Sequence, residues 1–260
     1  MTDLLLYQYV LIGLLFIWSG FVRSGLGFGG SVLSLPFLLL IVDDPLVFLP
    51  LIGVHLMVFS ILITWQNRRK TIAVAGSRES AQSTIDWGYL KYSLKVMIIP
   101  KLIGVLGLLT LPATLMSSII FAIVIFYAVS YVLNRPFRSN SKLLDTLFLI
   151  LGGYISGTSL IGAPLIVAVY ASHVAKHQLR DTLFVLWFIL VLIKLVSFII
   201  AGVDLQLIHH LWLLPCAFIG HLIGEKAHQR MLEAESALFY RVLGSVLIFV
   251  SVFGLVKNVL

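Results

Sequence analysis

Ten apolar runs succeed one another along this chain, at about 4–22, 30–42, 46–66, 89–109, 113–133, 143–156, 159–172, 182–202, 207–224 and 237–257. That succession narrows the choice of fold more than any other feature. In hydrocarbon no water bonds the peptide groups, so each segment must bond its own backbone, as a helix does. Sixty per cent of the 260 residues are hydrophobic and 11 per cent are charged, where a soluble domain is about a quarter charged. The chain reads as an all-α polytopic membrane protein.

Length then sorts the runs. A straight span takes roughly 20 residues, so 30–42, 143–156 and 159–172 fall short. The short runs flank two breaks, SGLGFGGSVLSLP from Ser24 to Pro36 and SGTSLIGAP from Ser156 to Pro164. Each break opens with Ser-Gly and carries a glycine six residues after the serine, Gly30 and Gly162. Glycine/proline breaks at matching places in two apolar halves point to a transporter's binding site. Irregular backbone at membrane depth survives only where protein or a water-filled cavity surrounds it. Each break is therefore expected to be a broken or re-entrant helical hairpin.

The charges set the orientation. Eighteen Lys and Arg against 11 Asp and Glu give a formal net charge of +7. The basic residues lie between the runs rather than along one face, so no nucleic-acid partner is expected. Arg68, Arg69, Lys70 and Arg78 share one connection, and Arg135, Arg138 and Lys142 the next; Lys176 with Arg180, then Lys226 with Arg230, follow. The alternate connections hold Asp43 and Asp44, Leu111-Pro112, and Asp204, without Lys or Arg. Under the positive-inside rule the basic loops are cytoplasmic and both termini lie outside. Counting each break as a hairpin leaves each half an odd number of crossings, so the second half is inverted relative to the first. The expected division is 1–134, with a mobile cytoplasmic loop at 67–88, and 143–260. Asp86 before Pro100, Gly104 and Gly107 is matched by Asp204 before Pro215, Gly220 and Gly224. No basic region precedes Leu4–Phe21, so the first run is expected to be kept as a span. A single cysteine, Cys216, excludes an intrachain disulfide.

The two breaks, together with Arg180-Asp181-Thr182, resemble the TauE/SafE sulfite-exporter family over about residues 10–257. The resemblance implies an inverted-repeat carrier for small sulfur-containing or organic anions such as sulfite and sulfonates. Members commonly carry a Gly-Gly-Gly-like run followed by proline. Here Phe28 interrupts the glycines, and the second copy keeps Gly157 and Gly162. Such short apolar motifs identify architecture better than cargo.

Candidate site residues cluster at the breaks. Gly25, Gly27, Gly29 and Gly30 either let helices approach closely or form a tip whose helix, starting near 29–31, points unpaired N–H groups at an anion. Pro164 suits the first turn of a matching helix starting near Gly162. Nucleotide binding is excluded because no strand precedes the glycines. Ser24, Ser31, Ser156, Thr158 and Ser159 add hydroxyl donors, or bond back to their own helices. Arg23 either meets the anion or caps the preceding helix dipole.

Lys101 and Lys194 lie deep in apolar runs with no acidic residue at similar depth. A charge at the membrane centre costs on the order of 3 kcal/mol. The lysines either bind an anionic cargo or snorkel to the interface. His55 titrates near neutral pH and is a candidate for proton coupling, or a packing histidine. His221 and Glu225, four apart, are too few to make a metal site, and no cofactor is expected. The chain is thus read as a secondary carrier of a small anion in the inner (plasma) membrane, working by alternating access. An anion channel is the alternative. A membrane-embedded enzyme is disfavoured, since no Ser/His/Asp set, paired carboxylates or HExxH lies at membrane depth.

Overall fold

The computed structural model describes residues 4–26, 30–75, 83–135, 137–233 and 237–259. These residues form helices only: α1 (Leu6–Leu26), α2 (Gly30–Ile41), α3 (Pro45–Ala75), α4 (Trp87–Thr110), α5 (Ala113–Val132), α6 (Lys142–Ser159), α7 (Ala163–His173), α8 (Lys176–Ile200), α9 (Leu207–Glu233) and α10 (Ala237–Val259). Among them seven, α1, α3, α4, α5, α8, α9 and α10, are long and apolar enough to cross a membrane. The outer surface agrees. Ile99, Ile103 and Leu106 of α4 and Leu211, Ile219 and Leu222 of α9 are exposed, an apolar coat suited to lipid and unsuited to water.

Local chemistry fixes several helix ends. The Asp86 side chain accepts from the Tyr89 N–H at the start of α4, and Ser141 accepts from Leu144 N–H at the start of α6. Each satisfies a backbone donor that the helix itself leaves unpaired. One boundary differs from the sequence expectation. The segment 67–88 is not loop throughout, because α3 continues to Ala75. Asn67 anchors that extension by donating to Asp181 of α8 at 2.7 Å. Of the rest of the expected loop, 76–82 lies outside the described residues and 83–86 leads into α4, which begins at Trp87.

Four pairings dominate the packing: α1 with α9, α4 with α6, α5 with α10, and α3 with α8. Exchanging the halves (α1 for α6, α4 for α9, and so on) turns the first pairing into the second and the other two into themselves. Lipid tails are as apolar as leucine, so helices associate here through close contact rather than a hydrophobic drive. Glycines provide it. A Cβ at Gly20 would lie 2.1 Å from the Ala217 carbonyl oxygen, and one at Gly220 1.9 Å from that of Ile17. Across α4 and α6, a Cβ at Gly104 would lie 2.3 Å from the Tyr154 oxygen, and one at Gly157 2.3 Å from that of Lys101.

The helices on either side of each break pack together as a hairpin, α1 with α2 and α6 with α7. Asp145 in the first turn of α6 pairs with His173, the last residue of α7, at 2.8 Å. Tyr89 at the start of α4 stacks on the same histidine ring. The second hairpin therefore enters and leaves at the end where α4 begins. In the first hairpin, Trp18 Nε1 donates to the Leu33 carbonyl across α1 and α2. The Tyr9 ring near the start of α1 meets Trp212 and His209 near the start of α9, while the Leu40 carbonyl near the end of α2 accepts from Lys257 near the end of α10. That hairpin opens at the end where α9 begins and α10 finishes.

Candidate functional site

One narrow cavity joins the two hairpin tips. It is lined by Arg23 of α1, by Gly30, Ser31 and Val32 in the first turn of α2, and by Leu160 and Ala163 at the second tip. His55 of α3 and Phe184 and Trp187 of α8 also line it. Its volume is about 30 Å³, room for about two waters. The N–H groups in the first turns of α2 and α7 have no partner within their helices, and both turns reach this space. Leu160 holds φ +60°. Left-handed backbone is unusual for a leucine and costs about 1–3 kcal/mol, a kind of strain that collects at ligand sites.

Arg23 is the charge at the centre. Its side chain is buried at 5 % exposure, Nη1 donates to the His55 carbonyl at 3.1 Å, and the guanidinium lies 4.5 Å from the Phe59 ring centroid. Among the described residues no carboxylate pairs with it. A guanidinium offers five donors in a planar fork that suits oxyanions.

The two buried lysines sit elsewhere. Lys101 Nζ donates to the Ser156 hydroxyl at 3.0 Å and to the Ser156 carbonyl at 3.3 Å, and Lys194 Nζ donates to the Gly157 carbonyl at 2.8 Å. Both Nζ groups thus meet the carbonyl end of α6, where the dipole is negative; the Ser156 carbonyl also accepts from the Leu160 N–H. Thr158 and Ser159 bond back to the Ile155 carbonyl of their own helix. Gly162 closes the turn, its missing Cβ leaving room for the Gly152 oxygen, and Gly157 packs against Lys101 and Gly104. None of these lines the cavity.

The first hairpin has a comparable fastening. Ser24 Oγ lies 2.6 Å from His221 Nδ1 on α9, and the Ser24 carbonyl accepts from Arg180 at 3.5 Å. His221 stands three residues before Gly224, which packs on Gly25, as Lys101 stands three before Gly104, which packs on Gly157. Ser24–His221 and Ser156–Lys101 thus hold matching places beside these glycine pairs. Gly27 and Gly29 lie outside the described residues.

Beside Arg180, the next two residues of α8 bind other elements. Asp181 accepts from Asn67 of α3, and the Thr182 hydroxyl accepts from the Asp86 N–H at 3.0 Å. The Arg-Asp-Thr triplet is thus a tie between α8 and α1, α3 and α4. With both breaks, their cavity and this triplet in place, a family model described as "Sulfite exporter TauE/SafE" matches residues 11–254. The chain belongs to the TauE/SafE family. Neither a curated protein nor a solved structure matches it. Family and helices together make the chain a multi-pass membrane anion transporter.

Several wall residues escape a sequence reading. Phe16 and Ser19 line the cavity, and their spacing to Arg23 (seven and four) places all three on one helical face, a signal that was available. Phe184 and Trp187 carry none, being apolar residues on an apolar helix. His221 drew notice only as half of a metal pair with Glu225, 3.9 Å away. Among the described residues no group of three or more metal-binding side chains occurs.

Proposed function

We propose that the chain is a secondary carrier, not an enzyme, for a small oxyanion, sulfite or a sulfonate, bound between the two hairpin tips. The observation that carries this reading is Arg23, a buried guanidinium without a carboxylate partner among the described residues, lining the cavity that both tips share. The anion sits against that guanidinium and accepts from Ser31 and from the first-turn N–H groups of α2 and α7. Gly30 borders the anion from the first turn of α2, and Gly25 packs on Gly224 of α9 beside it. Ser24, Ser156, Gly157, Thr158, Ser159 and Gly162 set the tips in position, and Lys101 and Lys194 hold the end of α6 rather than the cargo.

Two features support inverted repeats and alternating access, the exchangeable helix pairings and the opposite ends at which the hairpins open. Rocking the halves about the tips exposes the anion to each side in turn. The basic loops face the cytoplasm, and the chain resides in the inner (plasma) membrane.

The test is binding of sulfite and ethanesulfonate to purified protein. Arg23→Gln removes one charge-assisted contact, about 1.5–3 kcal/mol, and weakens binding roughly 10- to 150-fold. An unchanged Kd would overturn the site. Accumulation against a concentration gradient in proteoliposomes separates carrier from channel.

A further inference from the structure

His55 and His210 are two histidines that the anion site leaves unexplained. His55 of α3 is 1 % exposed and His210 of α9 is 6 % exposed. Their ring centroids lie 5.1 Å apart. Each ring has one nitrogen committed to backbone: His55 Nδ1 donates to the Leu51 carbonyl at 2.6 Å, and His210 Nε2 donates to the Leu205 carbonyl at 3.1 Å. A carbonyl can only accept, so these bonds fix both tautomers. The remaining nitrogens, His55 Nε2 and His210 Nδ1, are consequently bare acceptors when the rings are neutral. Both are buried and neither has a hydrogen-bond partner, although the Leu213 backbone lies near His55.

Two buried acceptors on neighbouring rings have nothing to donate until a proton arrives. Buried polar atoms without partners are uncommon, and a proton on His55 gives that ring a donor for the nearby Leu213 backbone. His55 also lines the anion cavity, and its own carbonyl accepts from Arg23. We infer that His55 and His210 form the binding site of a second substrate, a proton, carried together with the anion. This rests on the central-cavity reading above.

The charged and titratable groups around the pair explain the coupling. Arg23 from α1 and His210 from α9 act on His55; His209, on the same helix, acts on His210, with Asp204 beside His209. While the cavity lacks an anion, the Arg23 charge opposes a second cation at His55. A bound anion neutralises Arg23 and attracts the imidazolium through a low-dielectric interior. Anion and proton therefore favour each other's binding, and the linkage is reciprocal. His210 and His209 lie near the start of α9, so the proton reaches His55 from the end bearing Asp204. It leaves with the anion when the cavity faces the other side. His55 gains a proton at Nε2 and returns the same proton, so nothing is oxidised or reduced.

The experiment measures proton uptake by purified protein in weak buffer when saturating sulfite or ethanesulfonate is added. Ethanesulfonate keeps a fixed charge near neutral pH, so its signal comes from the protein. Wild type is expected to take up protons, up to one per anion bound, and His55→Gln to take up none at saturation. Anion binding by wild type without proton uptake overturns the inference alone. If neither anion binds, or if Arg23→Gln binds as well as wild type, the cavity reading falls and takes this inference with it. In proteoliposomes, His210→Asn should lower uptake driven by an imposed pH gradient about tenfold or more while anion exchange persists. Gradient-driven uptake retained in full by His210→Asn overturns the relay.

Discussion

Lys101 and Lys194 bring two ammonium groups to the carbonyl end of one helix, and at the residue scale that placement separates two roles a buried lysine can have. A lysine that holds cargo contributes to affinity and burdens the empty protein. A lysine that caps a helix contributes to the folded protein whether or not cargo is present. Replacing either lysine with Met leaves the Ser156 or Gly157 carbonyl without its ammonium partner, which costs about 1–3 kcal/mol. The expected outcome for Lys101→Met and Lys194→Met is a lower melting temperature with an anion Kd changed by less than about threefold. A held melting temperature with a tenfold weaker Kd, measured side by side, would return the lysines to the cargo. Their depth was legible in the sequence. Their partners were not, because Ser156 and Gly157 come from another segment and offer carbonyls that every residue has.

At the scale of the helices, glycine decides how closely two axes can run. Gly104 and Gly107 lie on the same helix, three residues apart, and the structure distinguishes them. A Cβ at Gly104 would lie 2.3 Å from the Tyr154 oxygen, whereas one at Gly107 meets nothing within 4 Å. Backbone cannot yield as a side-chain tip can, so Gly104→Ala should force α4 from α6 and lower the melting temperature sharply. Gly107→Ala should be neutral or stabilising by up to about 1 kcal/mol, through helix propensity. Thermal melting of the two variants checks the pair, and equal effects would refute the close crossing. The breaks at Ser24 and Ser156 were readable because glycine, proline and short apolar runs coincide there. The extension of α3 to Ala75 was not, because its polar sequence resembles loop and the helix is secured by Asn67 meeting Asp181 on a distant segment.

For the whole molecule, the proposed orientation rests on charge distribution and the proposed symmetry on packing. With Cys216 replaced, single cysteines introduced at Ser83 and Asp44 should label from opposite faces of the membrane, Ser83 from the cytoplasm. Labelling of both from one face would end the inverted arrangement. Sequence spacing brought the two breaks into correspondence, but not the convergence of α3 and α8 on the cavity between them. That convergence depends on which helix faces turn inward, and runs that are apolar all round do not encode it.

The Arg180-Asp181-Thr182 triplet has a consequence for motion. Ser24, Asn67 and Asp86 belong to α1, α3 and the start of α4, yet consecutive residues of one helix hold all three. Any movement that parts α8 from these neighbours must release three bonds in a single event, as a latch does. At the opposite end, Lys257 reaches the Leu40 carbonyl, and Asn258 reaches Asp43 as well as Thr114 and Ser118, so α10 ties the first hairpin to α5. In the proposed alternating-access cycle, the side held by the Arg180-Asp181-Thr182 triplet would thus open all at once.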